Sequence, residues 1–135
     1  MTDIAALRDW LDRYERAWRS NDPVDIAGLF TADAVYRWRP WDSPAEAAQG
    51  REAIVRAWLD DPTADDATSW TLECEPLAVN GDLGIARCVA RYRATERRPA
   101  PTVYHNIWLV QLTDERRCRD FTEHFMERPA QPVEA

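Results

Sequence analysis

Ile4, Leu7, Leu11, Tyr14 and Trp18 recur every three or four positions, which predicts one helix from about Asp3 to Ser20 with a single apolar stripe. Asn21-Asp22-Pro23 stops that helix and starts a second, short one. There Asp22 is the N-cap, Pro23 takes the first helical position, and Ile26, Leu29 and Phe30 turn inward. Val35–Arg39 alternates as a strand, and Pro40–Gly50 reads as a loop in which Ser43-Pro44-Ala45-Glu46 carries the signal for one capped turn. A third helix, about Arg51–Leu59, presents Ile54 and Trp58.

Beyond it the period changes from helical to extended. Asp60–Ala67 is acidic, contains Pro62 and has no apolar period, so it reads as an exposed connection. Trp70–Val79 is a strand, Asn80-Gly81-Asp82 a turn, and Gly84–Thr95 the returning strand. A wider turn through Arg97-Arg98-Pro99-Ala100-Pro101 leads to a last hairpin, Thr102–Thr113 against Arg117–Arg128. Three helices followed by a four-strand meander, with one early strand, predict an α+β domain whose helices cover one face of a single curved sheet. Residues 1–128 form this domain, and 129–135, with two prolines, read as a frayed tail.

Composition narrows the function classes. A chain of 135 residues with 45% hydrophobic content and seven Trp is enough for one well-filled core. The net charge of −7 and the lack of a basic run argue against nucleic acid as a partner. Apolar runs fall far short of the roughly 20 residues that span a bilayer, so no membrane association is expected and the chain reads as cytoplasmic. Cys74, Cys88 and Cys118 are odd in number and widely spaced, which suits reduced thiols better than a disulfide framework or a zinc site. All 17 basic residues are arginine, and the absence of lysine excludes Schiff-base chemistry and a lysine general base.

The last hairpin carries the candidate chemistry. Tyr104, Asn106 and Trp108 share a side with Phe121, Glu123 and Phe125, and a carboxylate between two phenylalanines suits a pocket better than a packed core. A final turn centred on Asp114-Glu115 sets Asn106 opposite Glu123 and Trp108 opposite Phe121. A turn centred near Arg98-Pro99 sets Arg91 opposite Asn106. Arg91, Asn106 and Glu123 then form a row across three strands, in which Arg91 lowers the pKa of Glu123 and orients it. A structural ion pair would produce the same row. The same register puts His105 opposite His124 on the other side, near Cys88 and Cys118, where no third ligand completes a metal site. Asp60, Asp61, Asp65 and Asp66 lack calcium-loop spacing and read as solvated.

Several segments together resemble the nuclear transport factor 2-like superfamily, in particular its SnoaL-like branch. They are Arg13-Tyr14, Leu29-Phe30-Thr31-Ala32-Asp33-Ala34-Val35-Tyr36, Gly50-Arg51-Glu52-Ala53-Ile54, Asn106-Ile107-Trp108-Leu109 and Arg117-Cys118-Arg119-Asp120-Phe121-Thr122-Glu123. The resemblance covers nearly the whole chain. It implies a cone-shaped barrel, a strongly curved, mainly antiparallel sheet wrapped around three N-terminal helices, and a homodimer formed through the outer sheet face. The hairpin side would be concave, with Tyr14, Trp18, Tyr36, Trp38 and Trp58 closing it.

The superfamily includes ketosteroid isomerases, polyketide cyclases, scytalone dehydratase, limonene epoxide hydrolase and members without catalysis, so it implies architecture more narrowly than chemistry. Tyr14 falls where ketosteroid isomerases place their oxyanion-donating tyrosine. Their general-base aspartate reads Trp38 here, and their second oxyanion donor reads Trp108. The expectation is a pocket for a small hydrophobic, cyclic or aromatic molecule, with acid/base chemistry by Glu123, Arg91 and Tyr14 and no metal or organic cofactor. Trp18, Tyr36, Trp38, Trp58, Asn106, Trp108, Phe121 and Phe125 would contact the ligand. The alternatives are a ligand-binding protein without catalysis and a pure dimerisation module.

Overall fold

The first apolar stripe forms α1, Ile4–Ser20, in a computed structural model that describes residues 2–61, 67–96 and 99–128. Asp3 caps it by accepting from the Ala6 N–H at 2.7 Å, and Asn21 ends it in the left-handed conformation at φ 54°. Asp22 and Pro23 then open α2, Pro23–Ala27. This helix is shorter than the sequence suggests, because Phe30 already belongs to β1, Phe30–Arg37. The Ser43–Glu46 segment makes a turn in which the Glu46 carboxylate accepts from the Ser43 N–H. An unforeseen two-residue strand, β2 (Ala48–Gln49), pairs back onto β1 before α3, Arg51–Leu59.

The remaining strands are β3 (Trp70–Asn80), β4 (Leu83–Tyr92), β5 (Thr102–Leu112) and β6 (Cys118–Arg128). The sheet order is β2-β1-β6-β5-β4-β3, with β1 and β6 parallel and every other pair antiparallel. Its edges are β2 and β3, so the expected barrel is an open sheet. The expected tail at 129–135, most of the 60–67 connection and Arg97-Arg98 lie outside the described residues.

Leu7, Trp10, Leu11 and Tyr14 of α1, Ile26 of α2 and Ile54 and Trp58 of α3 pack on Tyr36, Ala86, Cys88, Trp108, Val110 and Phe121 of the sheet. The helices therefore cover one face, as the layer argument requires. Among the described residues no helix is long and apolar enough to cross a bilayer.

Two registers differ from the sequence expectation, with opposite consequences. In the last hairpin Asn106 faces Phe125, Trp108 faces Glu123 and Val110 faces Phe121. The turn through Thr113–Arg117 uses a left-handed Arg116 (φ 58°), and an irregularity at Gln111/Leu112 adds a further residue. The net shift is two positions, which preserves every side-chain face. Between β4 and β5 the shift is three: Cys88 faces Asn106 and Arg91 faces Val103. An odd shift exchanges the faces, so Ala86, Cys88, Ala90 and Tyr92 point inward while Arg87, Val89 and Arg91 point outward.

Candidate functional site

Where the helices leave part of the sheet face uncovered, a pocket of about 290 Å³ remains. Its walls include Trp18 of α1, Trp38 at the end of β1, Trp58 of α3, Trp70 of β3, and Tyr104 and Phe125 of the last hairpin. Tyr14, Tyr36, Asn106, Trp108 and Glu123 line its inner part. Tilted and edge-on contacts fix these rings: Tyr14 lies 4.6 Å from Trp108 and 4.8 Å from Trp58, and Trp18 lies 5.2 Å from Trp58.

The polar centre is a chain of three groups from three elements. The Tyr36 hydroxyl donates to Glu123 Oε1 at 2.9 Å. With that proton committed, the Tyr14 hydroxyl, 2.9 Å away, donates to the Tyr36 oxygen. Glu123 is half-buried by area, its open part facing the pocket, but the protein around its carboxyl removes much of its hydration. Desolvation by burial raises its pKa to about 7, Asp61 adds to the rise and the Tyr36 hydrogen bond opposes it. Burial, reinforced by the Glu123 charge, holds both phenols well above their usual value.

Of the expected row, Asn106 and Glu123 stand on the same face of neighbouring strands, one pair apart, and Arg91 does not join them. It lies on the outer face, 3.6 Å from Glu73, with half its side chain in solvent. The expected lowering of the Glu123 pKa is thus reversed, because burial acts without a guanidinium to offset it. The Asn106 carboxamide faces the pocket without a hydrogen-bond partner among the described residues, and the buried indole N–H of Trp108 is likewise unpaired. Phe121 is fully buried behind the pocket, stacked 4.5 Å from Tyr36, and supports the wall without lining it.

The facing histidines do not form either. His105 pairs with Met126 and His124 with Ile107, while Cys88 and Cys118 turn into the core. Sequence reasoning missed Ala57, Asp61, Trp70, Leu72, Ala90 and Tyr92 as lining residues. Leu72, Ala90 and Tyr92 follow once the β4 face is exchanged, whereas Asp61 sits in an acidic stretch whose pattern carries no sign of a wall position.

The profile of the SnoaL-like domain matches residues 11–129, and this match spans most of the chain. The chain belongs to the SnoaL-like family. Solved structures similar to this SnoaL-like chain include SalBIII, an epoxide hydrolase/cyclase-like enzyme described in pyran ring formation in polyether salinomycin. That match is 17% identical, covers 93% of this chain and 95% of the other, and has a TM-score of 0.71. A provisionally assigned scytalone dehydratase of Novosphingobium aromaticivorans is 18% identical, with 96% and 92% coverage and a TM-score of 0.67. A provisionally assigned polyketide cyclase of Sinorhizobium meliloti is 24% identical, with 91% and 100% coverage and a TM-score of 0.61. At these identities the likeness is one of fold. No curated protein matches the SnoaL-like chain in sequence.

Proposed function

We propose that this protein binds a small hydrophobic, cyclic or aromatic molecule in the aromatic pocket and performs acid/base chemistry on it without a metal or organic cofactor. The observation that carries this reading is a desolvated Glu123 with a pKa of about 7, held by Tyr36 at the inner end of the pocket. A general acid or base works best when its pKa lies near the working pH, and Glu123 can take or return a proton there at little cost. Tyr36 fixes the carboxyl, Tyr14 fixes Tyr36, and Asn106 offers a free carboxamide to a polar atom of the ligand. The volume is at the small end of the roughly 300–1,000 Å³ usual for ligand pockets, which favours a compact ligand of one or two rings. Isomerisation, dehydration, cyclisation and epoxide opening all fit one proton-exchanging carboxyl. Cyclisation has the added support of the fold likeness to SalBIII.

The test is turnover of a panel of small enolisable, dehydratable and epoxide-bearing cyclic compounds by wild type and Glu123→Gln. The reading expects a loss of at least about 100-fold in the variant and a wild-type rate that follows one ionisation near neutrality. Equal turnover by the two proteins removes the carboxyl from the chemistry. The second reading is a carrier that holds the ligand unchanged, and Trp38 favours it, since a bulky ring there forms part of the pocket wall. Ligand binding without turnover in wild type decides for the carrier.

The proposed assembly is a homodimer through the outer sheet face. Its support is two exposed apolar side chains, Ile107 and Met126 (74%), on a face that otherwise carries the Arg87–Glu75 and Arg91–Glu73 ion pairs. Sedimentation equilibrium at two concentrations tests it, and a monomer at both removes it. The proposed compartment is the cytoplasm, which suits three free cysteines. The acidic balance of the chain also makes nucleic acid an unsuited partner.

A further inference from the structure

We propose that the ligand of this pocket carries a protonated amine on its hydrophobic ring system, held between the ring faces of the walls and the carboxyl groups of Glu123 and Asp61. The inference rests on the reading of the pocket as a ligand site and names the charge of what enters it. Ten of the sixteen lining residues are aromatic, two are acidic, and among these described residues none is Arg, Lys or His. A π face attracts a cation, and the attraction grows as water is removed. A carboxylate or phosphate on the ligand would instead meet Glu123, Asp61 and the negative faces of the rings, with no guanidinium among the described lining residues to compensate it.

The rim already shows this preference. The guanidinium of Arg19 lies 4.2 Å from the centre of the Trp70 ring, tied outside by the Ala67 carbonyl and the Glu15 carboxylate. The described ionisable groups around Glu123 are Tyr14 from α1, Tyr36 from β1, Asp61 beyond α3, Cys88 and Tyr92 from β4, and Tyr104 from β5. None of them is positive when ionised. Among the described lining residues no positive group faces this carboxyl, and the ammonium group of a bound ligand would serve as its counter-ion. It would favour the ionised form of Glu123, so that the base is generated when a ligand of the right charge arrives.

The test compares matched probes of two ring sizes by isothermal titration calorimetry at pH 8: tryptamine, tryptophol and indole-3-acetate, and the corresponding phenylethyl amine, alcohol and acid. The expected order in each set is amine, then alcohol, then acid, with amine over alcohol by roughly tenfold. The gap should narrow in Glu123→Gln and in Asp61→Asn, and in wild type at pH 5.5. The Asp61 variant, at a half-exposed position, serves if the Glu123 variant folds poorly. Equal binding of amine and alcohol, an acid that binds as well as the alcohol, or a gap unchanged in both variants overturns the charge assignment and leaves the pocket reading intact. Failure of every probe to bind overturns both.

Discussion

The Tyr36 hydroxyl stands 2.9 Å from the carboxylate of Glu123, and its hydrogen bond opposes the effect of burial on that carboxyl. The pair joins the parallel strands β1 and β6, in which Tyr36 aligns with Phe121, two residues from Glu123. Behind it the Tyr14 hydroxyl completes the chain. Glu123 thus has a defined orientation and a raised pKa together, which a carboxylate paired to arginine would not have.

Tyr36→Phe should raise the Glu123 pKa further above about 7, because the contact removed is the one that lowers it. The Tyr14 hydroxyl loses its acceptor in a buried site, so stability should fall by about 1–3 kcal/mol. Carbon-13 detected NMR titration of the Glu123 carboxyl and urea denaturation read the two effects. A pKa that falls would mean the hydrogen bond does not favour the ionised form.

Glu123 should also give this protein an unusual pH term. Its folded pKa, about 7, lies above the value near 4.5 of an unperturbed glutamate, so between those values the native state holds the proton that the unfolded chain releases. Its contribution is fully present below about pH 4.5 and is lost as pH rises through about 7. Glu123→Gln should therefore be more stable than wild type at pH 8, by at most about 3 kcal/mol and less where pocket water screens the charge, with the difference shrinking toward pH 5. Paired denaturation curves across that range measure it. A difference that grows toward low pH would contradict a raised pKa.

Most of the fold was legible because its signals are local: the 3–4 spacing of α1, the Asp22-Pro23 start of α2 and the Gly81 turn each depend on a few neighbouring residues. The site was less legible because register is set by turns and bulges. The two-residue slip between β5 and β6 left Asn106, Trp108, Glu123 and Phe125 on one face by parity. The three-residue slip between β4 and β5 removed Arg91 from it. One signal was present in Ile85–Tyr92, where one face reads Ala, Cys, Ala, Tyr and the other carries Arg87 and Arg91. Exposed arginines belong with the solvent face, opposite Glu73 and Glu75. The raised pKa of Glu123 could not be read, because burial belongs to the assembled pocket and not to any stretch of sequence.

Arg91→Ala should leave the pocket unchanged. Its partner Glu73 lies on the outer face with most of its side chain in solvent, so the pair contributes less than about 1 kcal/mol. The Glu123 titration and probe binding should match wild type within error. A fall in the Glu123 affinity for protons on adding Arg91 back to an alanine background would return Arg91 to the inner face.

Asp42→Ala should be costly although Asp42 lies on a loop. Its side chain is fully buried, and its Oδ2 accepts from the backbone N–H groups of Trp38 at 3.0 Å and Arg39 at 3.2 Å. Removing the acceptor leaves two backbone donors without it beside a pocket wall, at a cost of about 1–3 kcal/mol. Asp42→Asn, which keeps an oxygen acceptor, should recover much of the loss in thermal unfolding. Equal loss in both variants would assign the effect to charge and not to hydrogen bonding.

Gly84→Ala tests how closely α1 lies on the sheet. A Cβ built at Gly84 would come 2.7 Å from Leu7 Cδ1 and 3.0 Å from Cδ2, well inside ordinary carbon contact. Leu7 is fully buried and cannot swing into solvent, so either its rotamer or the helix must move. We expect a loss of about 1–3 kcal/mol. Leu7→Ala alone should cost about 2–5 kcal/mol through the cavity it leaves. The double variant should cost less than the sum of the two, because the new methyl group occupies part of that cavity and the clash is gone. Strictly additive losses in a double-mutant cycle would mean that the two residues do not touch. α1, which carries Tyr14 and Trp18 into the pocket, would then be held on β4 by other contacts.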